Sequence, residues 1–208
     1  MKKVIFALLA IAFLLPTYAG AENKQLEKAR KKELTAKLKE FKKGKWQALG
    51  SRTLEYSLAN HYDRLNTLGE DGHEVEGIAT SKSKNVGKQA AINNAVITYA
   101  QEAGSTLQGR VVSDINSNAN DTAAEFDNLY AAYERLVEKE IRNEMDPSFT
   151  IFRENPDGTI ETRTYFIIAE SAAAKARQRA LEAAMKESGV AQKYADQLSG
   201  FVKEGFNN

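Results

Sequence analysis

Twelve consecutive apolar residues, Val4 to Leu15, set the terms for the rest of the chain. Lys2 and Lys3 precede the run, and Ala19-Gly20-Ala21 follows Pro16 with the small-x-small pattern at which a secretory leader is cut. Twelve residues make about 18 Å of helix, short of the ~30 Å hydrocarbon core, so the run predicts a signal peptide over residues 1–21 and not a membrane span. Cleavage leaves Glu22 first in an exported protein, free in the periplasm, secreted or held in the envelope by partner contacts. The 208 residues include no cysteine. An exported body without disulfides, thiolate metal sites or a lipid-bearing cysteine must be held together by burying apolar surface.

A 42% hydrophobic, 27% charged composition suits one globular domain with an appendage. Net charge is close to zero with or without the leader, which gives no reason to expect a nucleic-acid partner. Its distribution is uneven: residues 22–45 carry ten Lys or Arg against four Glu, while the rest of the body is acidic. Leu26, Ala29, Leu34, Leu38 and Phe41 recur among those charges as a thin helical stripe, predicting a basic helical extension over 22–45 that Gly44 ends. Lys28, Arg30, Lys31, Lys32, Lys42 and Lys43 are its candidate contacts to anionic lipid or wall polymer.

From Trp46 onward the pattern predicts a domain over residues 46–208. Ser51 or Thr53 can cap a helix carrying Leu54, Leu58, Tyr62, Leu65 and Leu68 on one face. Val75, Gly77 and Ala79 alternate against Glu74, Glu76 and Ile78, a strand whose small residues suggest close approach by a helix. Asn85 caps the next helix, which Gly104 stops, and alternation at Leu107, Gly109, Val111, Ser113 and Ile115 predicts a second strand. Thr122 and Glu125 form a capping box before an amphipathic helix from Phe126 to Ile141. Asn155-Pro156-Asp157-Gly158 predicts a hairpin joining Phe149–Arg153 to Ile160–Ala169. Ser171 caps an alanine-rich helix interrupted at Ser188-Gly189, and a last helix follows from Val190. The economical packing is α+β and two-layer: about four mainly antiparallel strands with helices against one face, plus the N-terminal helical extension.

Gly77-Ile78-Ala79-Thr80-Ser81, the helix with Lys88-Gln89-Ala90-Ala91 and Asn94-Ala95, the Gly109–Ile115 segment and the Phe149–Ile168 hairpin together resemble the Lpp-twenty family of small bacterial envelope lipoproteins. The resemblance covers roughly residues 46–185, with Trp46 fitting it as well. It implies an envelope-associated protein with no catalytic residues to carry over. Unlike family members named as lipoproteins, this chain has Ala21 and Glu22 where the lipid-bearing cysteine would stand.

The chemistry-bearing residues are sparse. His61 and His73 lie twelve apart without paired helical spacing, which places them at the surface or its boundary and not in a metal site. Asp114 to Asp121 lacks the glycine and terminal glutamate of a calcium loop, Gly87-Lys88 lacks the rest of a phosphate loop, and no Gly-x-Ser-x-Gly occurs. Glu138 and Glu140 read as a solvated helix face. Asp121-Thr122-Ala123 resembles an acceptor pattern for O-glycans on exported bacterial proteins, with Thr122 as the acceptor, though helix capping explains the same residues. The expectation is a non-enzymatic envelope protein without cofactor or metal, a binding or structural module whose partner is an envelope protein or anionic polymer. Charge-driven surface binding is its rival, and a hydrolase assembled in three dimensions, with His61, His73 and carboxylates in one pocket, is a more distant one.

Overall fold

The computed structural model describes residues 19–114, 123–189, 194–203 and 205. The leader through Tyr18, the polar loop with Asp121 and the candidate acceptor Thr122, and Val190 lie outside the described residues. Among the described residues six α-helices and four strands follow in the order α1 (Ala19–Lys43), β1 (Gln47–Ala48), α2 (Leu54–Leu68), β2 (Gly72–Ser81), α3 (Lys84–Asp114), α4 (Ala123–Ile141), β3 (Asp146–Glu154), β4 (Ile160–Ala169), α5 (Glu170–Ser188) and α6 (Ala195–Lys203), with a 3-10 turn at Gly69–Asp71. The fold is α+β, as the pattern predicts. Its single antiparallel sheet has the order β1-β3-β4-β2.

Strand β4 lies between β3 and β2, and its two faces build two cores. Phe166 and Ile168 join Ala95, Tyr99, Leu107, Leu129, Tyr133, Val137 and Leu181 under α3, α4, α5 and α6. Tyr165 and Ile167 point the other way, against Phe41, Trp46, Leu58, Tyr62, Leu65 and Ile151. Helices therefore cover both faces, and not the single face that the two-layer expectation gave them. The basic extension is not an appendage: with α2 it forms a layer of its own, and Phe41 is buried at its foot.

Local chemistry explains the elements. The Thr53 hydroxyl caps α2 by accepting the Tyr56 N–H at 3.2 Å, and Leu54, Leu58, His61, Tyr62 and Leu65 form its buried face. Gly77 lets α3 cross β2 closely: a Cβ there would stand 1.9 Å from the Ala91 carbonyl oxygen and 2.8 Å from the Ala95 Cβ. In the β3–β4 turn the Asn155 N–H donates to the Thr159 carbonyl at 2.8 Å, with Gly158 at φ +78°.

Four expectations about the elements are corrected. The segment predicted as a second strand is the last third of α3, which runs unbroken through Gly104 and Gly109 to Asp114. Ala100, Ala103, Leu107 and Val111 keep helical spacing and are all buried, whereas the alternating reading needed Gly109 and Ser113 on the inner side. Gly104 is not a stop; it admits Glu134 of α4, whose Cβ would stand 3.4 Å from an added Cβ. The fourth strand is instead β1, only two residues long. Helix boundaries also move. Helix α3 starts at Lys84, with the Ser83 carbonyl accepting the Gly87 N–H at 2.8 Å, so Asn85 lies inside it. Ser171 lies inside α5 and caps nothing. The distant Asp71 carboxylate accepts both its N–H and its hydroxyl at 2.7 Å, and these bonds hold the Asp71 carboxyl below its ordinary value.

Candidate functional site

The sheet has two edges, and they are unequal. At one, β1 is two residues long, and its neighbour β3 has Pro147 and a register shift between Pro147 and Phe149. At the other, β2 is ten residues long and pairs only with β4. Two side chains reveal which of its backbone groups face outward. Arg30 donates to the Gly72 carbonyl at 3.0 Å, and the Asn94 amide donates to the Ile78 carbonyl at 2.7 Å. Because N–H and C=O of one residue point the same way in an antiparallel strand, Gly72, Glu74, Glu76 and Ile78 turn theirs away from β4. Arg30 and Asn94 thus stopper the two ends, and Glu74 and Glu76 leave an open window between them.

A groove of about 280 Å³ lies beside that window. Its floor is Val75, Tyr99 and Ile168, and its walls are His73, Thr98, Glu102 and Glu170. Helix α3 forms the far wall and closes on the strand beyond the window, at Gly77, at Ile78 through Asn94, and where Gly87 meets Ser81. Tyr99 is held from behind by Arg177, whose guanidinium donates to the tyrosine oxygen at 2.5 Å and also pairs with Glu170. Burial raises the Tyr99 phenol to about 12, so it stays neutral.

The carboxylates of the window residues are drawn back across the opposite face. Glu74 pairs with Lys37 at 2.5 Å and lies 2.7 Å from His61 Nε2. That second approach falls off the ring N–H axis, an ion-pair distance without an aligned hydrogen bond. Burial pushes the Glu74 carboxyl up, but His61 and Lys37 outweigh it and the net shift is downward. Glu76 accepts from the Tyr165 hydroxyl at 2.7 Å and pairs with Arg163 at 3.3 Å. Beyond it, Glu161 bridges Arg153 and Arg163, and both guanidinia lie 4.7 Å from the Trp46 ring.

His61 corrects a further expectation: it is fully buried, not at the surface. Its Nδ1 is 2.9 Å from the Ser148 hydroxyl, so Ser148, His61 and Glu74 line up in the order of a hydrolytic triad. The imidazole is enclosed by Tyr62, Phe149 and Tyr165, all set edge-on. The ring has no exposed surface: Ser148 partners its Nδ1, while Nε2 has only the close, misaligned approach of the Glu74 carboxylate. His73 is exposed and lines the groove on the other face of β2, so the two histidines do not converge. Among the described residues no three metal-ligating side chains form a cluster.

The basic contacts divide. Lys28, Lys31, Lys32, Lys42 and Lys43 are exposed, and Lys42 pairs with Glu55 at 2.8 Å. Arg30 is corrected: it is buried and bound to the Leu65, Gly69 and Gly72 carbonyls at 2.5, 2.9 and 3.0 Å, so it faces the protein and not a surface. With Lys24 and Lys39, which sequence reasoning passed over, the exposed lysines fall within about 120° of the helix circumference at 100° per residue. Glu138 and Glu140 do lie on a solvated face, paired with Arg142 and Arg179. The groove was not legible beforehand, since its floor and walls come from β2, α3, β4 and the start of α5. The one available signal was the combination of small residues on β2 with alanines on the next helix.

Comparison of the chain with protein-family models, with curated proteins and with solved structures found no match. Among the described residues no helix is long and apolar enough to cross a membrane.

Proposed function

We propose that this chain is an exported envelope protein that works as a binding module without chemistry of its own, docking a partner at the β2 edge and the groove beside it. The observation that carries the reading is the open window at Glu74 and Glu76, set between two stoppered ends and beside a 280 Å³ groove. Sheet edges left open in this way are sites of strand addition. Export rests on the leader pattern, and membership of the Lpp-twenty family on the Gly77–Ser81 segment, the helix after it and the hairpin. The family-like second strand at Gly109–Ile115 has no counterpart, because Gly109 to Asp114 is helical.

A photo-crosslinking residue at exposed Thr98, on the groove wall, tests the reading in intact cells. It is expected to capture one defined envelope component that the same probe at Asp157, on the hairpin tip, does not. Turnover of a substrate by the purified protein, lost on a single substitution, would overturn it.

The lysine stripe of α1 favours a second reading, attraction to an anionic lipid surface. Replacing Lys24, Lys28, Lys31, Lys32, Lys39 and Lys43 by Gln is then expected to abolish binding to anionic vesicles. Binding should also fall between low salt and about 0.5 M, where screening shortens the reach of surface charge. Binding indifferent to both changes would exclude it.

A further inference from the structure

The groove beside β2 is an incomplete strand ladder, and its chemistry specifies what completes it. Glu74 and Glu76 present two N–H and two C=O groups outward, with residues i and i+2 about 6.8 Å apart along a strand. Another extended polypeptide backbone supplies alternating acceptors and donors at that spacing. The usual defences of an edge are charged side chains, proline, a bulge, shortness or a covering helix or loop. The β1/β3 edge has shortness, a proline and a register shift, whereas β2 has none of these three, and the cover from Arg30 and Asn94 falls on Gly72 and Ile78, either side of the window. Its glutamates do not lie across the edge, because Lys37, His61, Arg163 and Tyr165 hold them on one face.

A second copy of the chain fits this window poorly. Antiparallel self-pairing centred on Val75 sets Glu74 opposite the other copy's Glu76, and Glu76 opposite its Glu74, with Cβ atoms about 5 Å apart and like charges facing. A foreign strand is under no such constraint. Its central residue, opposite Val75, points into the groove, where Val75, Tyr99 and Ile168 receive an apolar stem while Glu102 and Glu170 flank its far end. Glu170 is already paired with Arg177, and Glu102 stands exposed on α3. An apolar stem with a cationic tip describes lysine or arginine.

We infer that the groove takes, as a fifth strand of the sheet, an extended peptide segment with a lysine or arginine at its central, groove-facing position; this rests on the binding-module reading above. The test uses the exported form of the chain with the probe peptide acetyl-Val-Thr-Lys-Thr-Val-amide. Two control peptides accompany it: one with Glu in place of Lys, and one N-methylated at both threonines, whose amides would face β2. The lysine peptide is expected to bind and to slow hydrogen exchange at the Glu74 and Glu76 amides. N-methylation is expected to weaken binding at least tenfold. Glu102→Lys is expected to lower affinity for the lysine peptide about fivefold and to raise it for the glutamate peptide, with Glu102→Gln in between. Glu102 is exposed, so melting temperature should be unchanged in both variants.

Equal binding of the N-methylated peptide, protection confined to other residues, or indifference to Glu102→Lys would overturn the inference. So would concentration-dependent protection of Glu74 and Glu76 without peptide, which marks self-pairing. If the peptides fail while Thr98 still captures an envelope component, the strand-addition inference fails and the binding-module reading stands; if both fail, both are wrong.

Discussion

Arg30 and Arg177 anchor opposite ends of the chain, each by a buried guanidinium, Arg30 bound to backbone carbonyls and Arg177 chiefly to the Tyr99 and Glu170 side chains. Arg30 ties α1 to the end of α2 and the start of β2, and burial draws its pKa down. Arg177 reaches the Val202 carbonyl of α6 at 3.3 Å while holding Glu170 and Tyr99. Removing such a fork strands carbonyls away from water, so Arg30→Met is expected to lower unfolding free energy by about 3 kcal/mol, read from denaturant titration. Glu74 makes a pH-dependent contribution. Its folded pKa is held below the ordinary 4.5, so its stabilisation is complete above the unfolded value and is lost as pH falls through the folded one. Glu74→Gln should therefore cost about 2 kcal/mol at neutral pH, and the gap between variant and parent should narrow below pH ~4.5.

Helix α3 decides how the layers fit, and its glycines have opposite duties. Gly109 has open space around its Cβ position inside a helix, so Gly109→Ala is expected to raise stability by about 0.5–1 kcal/mol. Gly77, across from the same helix, has none, and Gly77→Ala is expected to cost about 3 kcal/mol or to prevent folding, measured by thermal melting. This contrast bears on what the sequence made legible. Helix α4 was read correctly because Phe126, Leu129, Tyr133, Val137 and Ile141 repeat every three or four residues and all meet the core. The hairpin was legible because proline and glycine fix its turn locally. The end of α3 was misread because Leu107 and Val111, four apart, also satisfy an alternating pattern. Strand β1 is too short for any periodicity. Asp71 capping α5 from 100 residues away, and a histidine buried between Glu74 and Ser148, are products of tertiary contact that local sequence does not encode.

At the scale of the molecule, the basic N-terminal helix is structure before it is charge. Phe41 is buried against Trp46 and Tyr165, with ring centroids 6.2 and 6.1 Å away, and Lys37 holds Glu74 beneath it. Phe41→Ala is expected to cost about 3–5 kcal/mol. Deleting residues 22–45 would uncover one of the two cores and confound any binding assay, whereas exchanging the exposed lysines for glutamine should shift unfolding free energy by no more than about 0.5 kcal/mol. The unequal edges of the sheet carry a consequence for assembly. Fibrous stacking needs a rim that donates and another that receives, repeated from one molecule to the next. Here the long β2 rim has no matching rim on the far side, where β1 is two residues long, so copies of this chain lack the pair of complementary edges that head-to-tail stacking needs.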